Sequence, residues 1–532
     1  MRMRLLALGM PLLALYQPAA TSQTQSPAPP SADAQRCAAL VSPEFEAIPG
    51  AVTRVVAARI VDTAAGAANP VLAASPIKQF CQVQGYVAPQ NKFELRLPLP
   101  SDWNGKFHLT ACAGFCGSVQ PTVCNASLAR GSASITGNGG HDGSPGFDGV
   151  WAANNPNLQE DLAWRHNHVI TLAGKAIATK YYGKPIAKSY MSGCSKGGHA
   201  ALMEAQRFPE DFDGLIAAAP VYDLVGRAIA AAWWAQAVNG PQQGSILDRT
   251  VAETVQKSVL AKCGAQAGVD EWVVTDPSSC DWKPEMAACG TGSATTCLTP
   301  AQVQAVKRMM SPVVNSKGQP LYTWADIAGT ATEWEGWHFG RGGNPSAPRA
   351  YANYGLAEQF LRYMADPTVR ANVDPLTFDF DRDPATLARA RTLYNATSSD
   401  LRAFKARGGK LLMWHGLSDA AITATSSIDY YQAVEKMMGG RAQTQDFFRL
   451  FLLPGMHHCA GGPGFTQFDA LTLLENWVEK GQAPDVMIAT QLAGGAAART
   501  RPIYPYPVLA HYSGQGDPKQ ASSFVPVDPA KR

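Results

Sequence analysis

The sequence predicts an α/β fold with a mostly parallel sheet, interrupted by a large inserted lid. Three observations carry that reading. Apolar strand-like runs alternate with helical stretches over residues 37–225 and again over 395–515, the pattern of successive βα units. Residues 226–394 between them change character: strand signals thin out, turn residues multiply, and seven of the twelve tryptophans fall there. The 532-residue chain is also 46% hydrophobic and only 16% charged, against roughly 25% charged in a typical soluble domain. So little charge argues against a charged disordered chain or a long coiled coil. A formal net charge of +3 argues against a basic nucleic-acid footprint.

Taken from the N-terminus, Met1-Arg2-Met3-Arg4 precedes the apolar run LLALGMPLLAL and the small pair Ala19-Ala20. That order predicts a signal peptide over residues 1–20 and an exported protein, periplasmic or extracellular. No later run is long and apolar enough for a membrane span. Strands are expected at KQFCQVQGYV, FELRLPL, KFHLTAC, SYMSGCS and DGLIAAAP, and helices at 158–182 and ALMEAQRF. After the lid come the strand GGKLLMWHG, the helix SSIDYYQAVEKMMG, the strand DFFRLFLLPG and the helix FDALTLLENWVEK. Residues 516–532 read as a frayed polar tail. Eleven cysteines suit an oxidising compartment, and their odd number leaves at least one unpaired within a monomer.

The string SYMSGCSKGG holds G-x-S-x-G between a strand and a helix. A serine there must sit in a tight, strained turn, so that its hydroxyl projects above the sheet. Gly193, Gly197 and Gly198 remove side chains that would clash, and the backbone N–H of Lys196 at the helix start can face developing negative charge. An ordinary glycine-rich turn has the same local pattern; the strand-to-helix setting favours Ser195 as a nucleophile. In this arrangement the acid and then the base follow the serine in the chain. Asp419 lies just past an apolar strand, where it can orient an imidazole. LLPGMHHCAGG follows another strand and offers His457 and His458, either of which suits a general base. Adjacent residues rarely converge on one ion, so no metal is read into His-His-Cys. His415 reads as packing beside the Asp419 loop. Cys194 precedes the serine and Cys459 follows the second histidine, so a bridge between them would tie nucleophile to base.

Together these residues resemble the tannase/feruloyl esterase family, whose Cys-Ser, Asp, His-Cys signature matches Cys194-Ser195, Asp419 and His458-Cys459. The match extends through DWNGKF, ALMEAQRFPEDFDGLIAAAP and DLRAFKARGGKLLMWHGLSDAAI. The resemblance implies an α/β-hydrolase core with an inserted lid, His458 as the base, and an oxyanion hole made by Gly114 N–H in TACAGFCG with Lys196 N–H. It implies the disulfides Cys37–Cys81, Cys194–Cys459, Cys263–Cys280 and Cys289–Cys297, leaving Cys112, Cys116 and Cys124 for one more bridge and one free thiol. The family's lid usually carries a structural calcium on several aspartates. Here CGAQAGVDEWVVTDPSSC has Gly264 and Ala267 at expected aspartates, and Asp270, Glu271 and Asp276 fall out of pattern for an ion that takes roughly six to eight oxygens. No metal or cofactor is expected. Lys196 replaces the usual acidic or small residue, and its side chain is expected to face solvent, with an acidic substrate as the alternative reason for it.

The implied reaction is hydrolysis of aromatic carboxylic esters, feruloyl, hydroxycinnamoyl or galloyl, through an acyl-enzyme on Ser195. A terephthalate or phthalate half-ester hydrolase is the nearest alternative, and a non-catalytic binding protein on the same scaffold the more distant one. Trp233, Trp234, Trp324, Trp334 and Trp337 are candidates for an aromatic wall around the ring, Trp334 and Trp337 foremost. Arg341 and Arg362 are candidates for contacting a substrate carboxylate.

Overall fold

The computed structural model describes residues 30–63, 70–144, 146–239, 244–290, 296–340, 351–370 and 372–529. The expected signal peptide and Arg341 lie outside the described residues. Nine strands form one sheet: β1 Thr53–Asp62, β2 Gln79–Val87, β3 Asn91–Pro98, β4 Lys106–Thr110, β5 Ala133–Gly137, β6 Lys188–Cys194, β7 Gly214–Ala218, β8 Lys410–Gly416 and β9 Phe448–Leu453. Their spatial order is β1-β2-β3-β5-β4-β6-β7-β8-β9. The run from β5 to β9 is parallel throughout, and β1, β2, β3 and β5 pair antiparallel at the other edge. Two of these strands, β1 and β5, were not among the expected ones. β5 is only ASITG, too short and too small in side chain to announce itself.

Helices cover both faces of the sheet: α1 His166–Tyr182, α2 Lys196–Arg207, α3 Leu224–Val238, α4 Arg249–Cys263, α5 Pro300–Met309, α6 Ala352–Gln359, α7 Ala424–Met438 and α8 Ala470–Lys480. Alternate residues of the central strands face different helices. Met191, Leu411 and Met413 pack with residues of α1, α2 and α7, while Tyr190, Leu412 and Trp414 pack against Leu474 and Trp477 of α8. Burial on both faces is the condition under which a parallel sheet is stable. The helix expected over 158–182 is broken by a π-turn at Asp161–Arg165. Asp161 there accepts hydrogen bonds from Asn91 and Arg165.

The inserted segment has an apolar core of its own, built on α3, α5 and α6 with Trp234, Trp334, Tyr354 and Phe360. The same cluster takes in Phe115, Leu162 and Ala420–Ile422 from the sheet's loops, so the lid is packed onto the strand ends. The tail does not fray as expected: Phe524–Val527 pairs antiparallel with Leu509–Tyr512, and Phe524 is buried. No helix among the described residues is long and apolar enough to cross a membrane.

Candidate active site

Four parallel strands deliver the site from their carboxyl ends, where open α/β sheets bind ligands. β6 leads into Ser195, β8 into the Asp419 loop, β9 into the His458 loop and β4 into the Gly114 loop. Ser195 has φ 62° and ψ −119°, a conformation that a non-glycine residue adopts only under strain. The turn closes on itself tightly: a Cβ on Gly193 would come within 2.5 Å of the Gly197 carbonyl carbon, and one on Gly198 within 2.3 Å of the Ala218 oxygen.

Asp419 is buried and saturated. Its Oδ1 accepts the N–H groups of Ala421 and Ile422, each at 2.8 Å, and its Oδ2 lies 2.8 Å from His458 Nδ1 and 3.2 Å from His415 Nε2. Burial opposes its ionisation, but the His458 charge and the bonds from both histidines prevail and hold the carboxyl well below its usual range. Burial alone would push His458 down; the charge and hydrogen bond of Asp419 outweigh it, and the imidazole is raised. With Nδ1 directed at Asp419, Nε2 is the ring nitrogen left for proton exchange. His457 points elsewhere, its Nε2 2.9 Å from Thr332 Oγ1. His415 is buried between Asp419, Ser427 and the Ile422 carbonyl.

Ser195 and His458 line one pocket together with Gly114, Lys196, Phe147, Trp337 and Arg227. Gly114 has φ +61°, and a Cβ there would lie 2.6 Å from Gly146 O. Among the described residues, neither Gly114 N–H nor Lys196 N–H is taken up by a protein acceptor. Two free N–H groups beside a strained serine suit a developing oxyanion. Cys194 and Cys459 are bonded, Cα–Cα 5.8 Å, which joins the end of β6 to the residue after His458. The other bridges are Cys37–Cys81, Cys263–Cys280, Cys289–Cys297 and Cys112–Cys116, and Cys124 is a free, buried thiol.

The substrate-side expectations fare unevenly. Trp337 lines the pocket and meets the His458 ring edge-to-face, 5.5 Å between centroids. Trp334 does not: it is 1% exposed in the lid core, with Nε1 donating to Asp326. Trp233 and Trp234 donate to Arg308 and Met309 carbonyls, and Trp324 donates to Asp429. Their indole N–H groups are taken up by the protein, and none of the three rings lines the pocket. Arg362 is also absent from the pocket lining; it pairs with Glu358 and donates to the Val373 carbonyl.

The Lys196 side chain, expected in solvent, is 4% exposed. Its Nζ lies 3.0 Å from His199 Nδ1, and burial pushes it down to about 7. Arg227 was not anticipated at all. It is 1% exposed, donates through Nη2 to Asn353 Oδ1 and through Nε to the Ala421 carbonyl, and leaves Nη1 without a partner. A lone arginine in the apolar run LVGRAIAAAWW was the available signal. Among the described residues neither cation is ion-paired with a carboxylate.

In the stretch expected to lack a calcium set, Asp270 is exposed and the other two acids have partners within the protein. Glu271 is buried against Arg501, and Asp276 accepts from Ser278. One cluster with metal-ligand chemistry exists among the described residues, His168, Glu204 and Asp211. It joins α1 to the end of α2, away from the pocket lining, with His168 Nδ1 2.6 Å from Asp211 Oδ2.

Comparison with known proteins fits this geometry. Residues 75–527 match the family model described as tannase and feruloyl esterase. The chain belongs to the tannase and feruloyl esterase family. A mono(2-hydroxyethyl) terephthalate hydrolase from Piscinibacter sakaiensis is 35% identical over 89% of each chain. A probable feruloyl esterase from Arthroderma benhamiae is 31% identical over 80% of this chain and 81% of the relative. The structure is also similar to that of feruloyl esterase B from Aspergillus oryzae, with a TM-score of 0.78 and 26% identity over 89% of this chain and 97% of that one. As a family member with this α/β-hydrolase core, the chain is a carboxylic ester hydrolase. Its five disulfides accord with an exported protein.

Proposed function

We propose that this family member hydrolyses esters of aromatic acids through an acyl-enzyme on Ser195, with Asp419 and His458 completing the triad. The observation that carries the reading is one pocket lined by Ser195, His458, two glycine-turn and helix-start residues with free N–H groups, and the rings of Phe115, Phe147 and Trp337. Ser195 Oγ bonds to the ester carbonyl carbon while its proton passes to His458 Nε2, and Asp419 stabilises the imidazolium. The carbonyl electron pair moves onto oxygen, which the Gly114 and Lys196 N–H groups receive. Collapse breaks the C–O bond, and His458 protonates the departing alcohol. Water, deprotonated by His458, then releases the aromatic acid and restores Ser195. Residues 226–394 act as the lid over this pocket, and the setting is periplasmic or extracellular.

A fluorophosphonate should modify Ser195 alone, read by peptide mass, and Ser195→Ala should lose methyl ferulate hydrolysis. Hydrolysis surviving in Ser195→Ala overturns the assignment.

A second reading concerns the acyl group. Arg227 puts a buried guanidinium with an unpartnered Nη1 among the pocket residues, and a buried charge is costly until paired. That favours a ring bearing its own acid, such as a terephthalate or phthalate half-ester, over an uncharged phenolic ester. The Piscinibacter sakaiensis relative is named for such a half-ester. A panel of methyl gallate, methyl ferulate and a terephthalate monoester separates the two: preference for the monoester supports the second reading.

A further inference from the structure

One side chain of the lid bonds the backbone of both triad loops. Glu333 ends a short 3-10 turn, Thr330–Glu333, in the inserted segment. Its Oε2 accepts the N–H of Ala420 at 2.8 Å, and its Oε1 accepts the N–H of His458 at 2.9 Å. One carboxylate therefore holds both the residue after Asp419 and the backbone of His458 itself. Those two loops leave different strands and are otherwise joined by the Asp419–His458 bond and by the Ser418 N–H donating to the Met456 carbonyl at 3.0 Å. The neighbouring Thr332 touches the same loop through His457, and Trp337 closes on the His458 ring.

We infer that Glu333 is a positioning residue of the triad: from the lid it fixes the relative placement of the Asp419 and His458 loops. The placement follows from geometry. Two backbone N–H groups from different loops converge on the two oxygens of one side chain, and those bonds become roughly twice as strong when it is ionised. A misplacement of about 1 Å in a catalytic group can cost on the order of a hundredfold in rate. A glutamine cannot reproduce the arrangement, since its NH₂ can only face one of those N–H groups donor to donor.

The charge on Glu333 is not independent of its surroundings. Burial and then the Asp419 carboxylate push Glu333 up to about 8, against the N–H of Ala420 and the His458 charge, which favour ionisation. Around the His458 imidazole stand Asp419, Glu333 and, opposing them, Arg227. His457 on the same loop is lowered by burial, His415 touches Asp419 from β8, and Glu335 on the lid is engaged by Arg249. Below about 8 Glu333 is mostly protonated, so what it does for His458 at neutral pH is positional rather than electrostatic.

The inference rests on His458 as the base, and its test separates the two. In the full-length enzyme, Glu333→Gln should lower kcat for methyl ferulate by about ten- to a hundredfold with KM changed little. Thr332→Ala, which removes the adjacent lid contact to His457, should leave both unchanged. Glu333→Asp keeps the carboxyl but is too short to span both N–H groups, so it should lower kcat in the same way. That variant decides the matter if Glu333→Gln does not fold, as judged by near-ultraviolet circular dichroism. Wild-type kcat in folded Glu333→Gln, a loss that appears in KM instead of kcat, or the same change in Thr332→Ala each overturns the inference. Activity surviving in Ser195→Ala would instead remove the triad reading beneath it.

Discussion

Arg227→Met removes one buried cation from the pocket and keeps much of the side chain's volume. Two effects follow, and the structure separates them. The lost bonds to the Ala421 carbonyl and Asn353 Oδ1 loosen the Asp419 loop and the lid for any ester. The unpartnered Nη1 matters only to a substrate with an acceptor to offer it. Asp326 does not satisfy it: Asp326 lies beyond Asn353 and His338, whose Nδ1 is 3.0 Å from Asn353 Nδ2 and whose Nε2 is 3.4 Å from Asp326 Oδ2. A hydrogen bond to a charged group contributes about 1.5–3 kcal/mol, or roughly 10- to 150-fold in kcat/KM.

The measurement is therefore a ratio, kcat/KM for monomethyl terephthalate over that for dimethyl terephthalate, in wild type and variant. The general loosening acts on both substrates and cancels. The ratio should fall roughly 10- to 150-fold in Arg227→Met, with partial retention in Arg227→Lys, which keeps the charge but not the planar fork. A ratio within twofold of wild type, whatever happens to the absolute rates, refutes the reasoning.

Four further outcomes follow from the site. The raised His458 imidazole must be neutral to accept the Ser195 proton, so kcat/KM should fall as pH drops through a value above the ordinary histidine value of about 6.5; a midpoint below that value contradicts the Asp419 contribution. Replacing Cys194 and Cys459 together by serine opens a loop of 265 residues, for which chain entropy sets an upper estimate of about 5–6 kcal/mol and typical bridges give about 2–4. Urea unfolding should show that loss together with a lower kcat, and an unchanged kcat would separate the bridge from catalysis. Trp337→Ala should weaken aromatic esters about two- to twelvefold relative to acetate esters, an edge-to-face contact contributing about 0.5–1.5 kcal/mol beyond its buried area. Trp334→Phe should leave that selectivity alone and lower stability by about 1–3 kcal/mol, because Asp326 loses a buried donor.

The parts of the site legible in the sequence are those in which local chain and chemistry coincide. A serine between glycines at a strand-to-helix turn, an aspartate past a strand and a histidine beside a cysteine are each set by residues within a few positions. The sheet was legible wherever strands were long and apolar, and illegible at β5, where small residues are buried by their neighbours. Side chains whose role depends on the lid were not legible. Trp334 and Trp337 stand three residues apart with the same chemistry, yet one fills the lid core and the other the pocket, because the backbone kinks at Glu335 and Gly336 between them. Lys196 reads as a surface residue at a helix start until His199, its neighbour one turn on and itself bonded to the Tyr394 carbonyl, is packed against it. Glu333 has no local signature: its partners lie 87 and 125 residues away.

Those separations bear on what the lid is for. The His458 loop is restrained from two sides by bonds of different kinds, covalently to β6 through Cys194 and by a hydrogen bond to the lid through Glu333. The disulfide fixes how far the base can move from the nucleophile whatever the lid does, and only a reductant removes it. The lid contacts fix how the base meets the acid, and they exist only while the lid is seated on the strand ends. Trp337 belongs to the same lid segment and lines the pocket, so the surface that meets the substrate ring and the carboxylate that aligns the triad cannot be displaced independently. Deleting the disulfide should therefore affect every ester alike, whereas disturbing the lid should change rate and ring selectivity together.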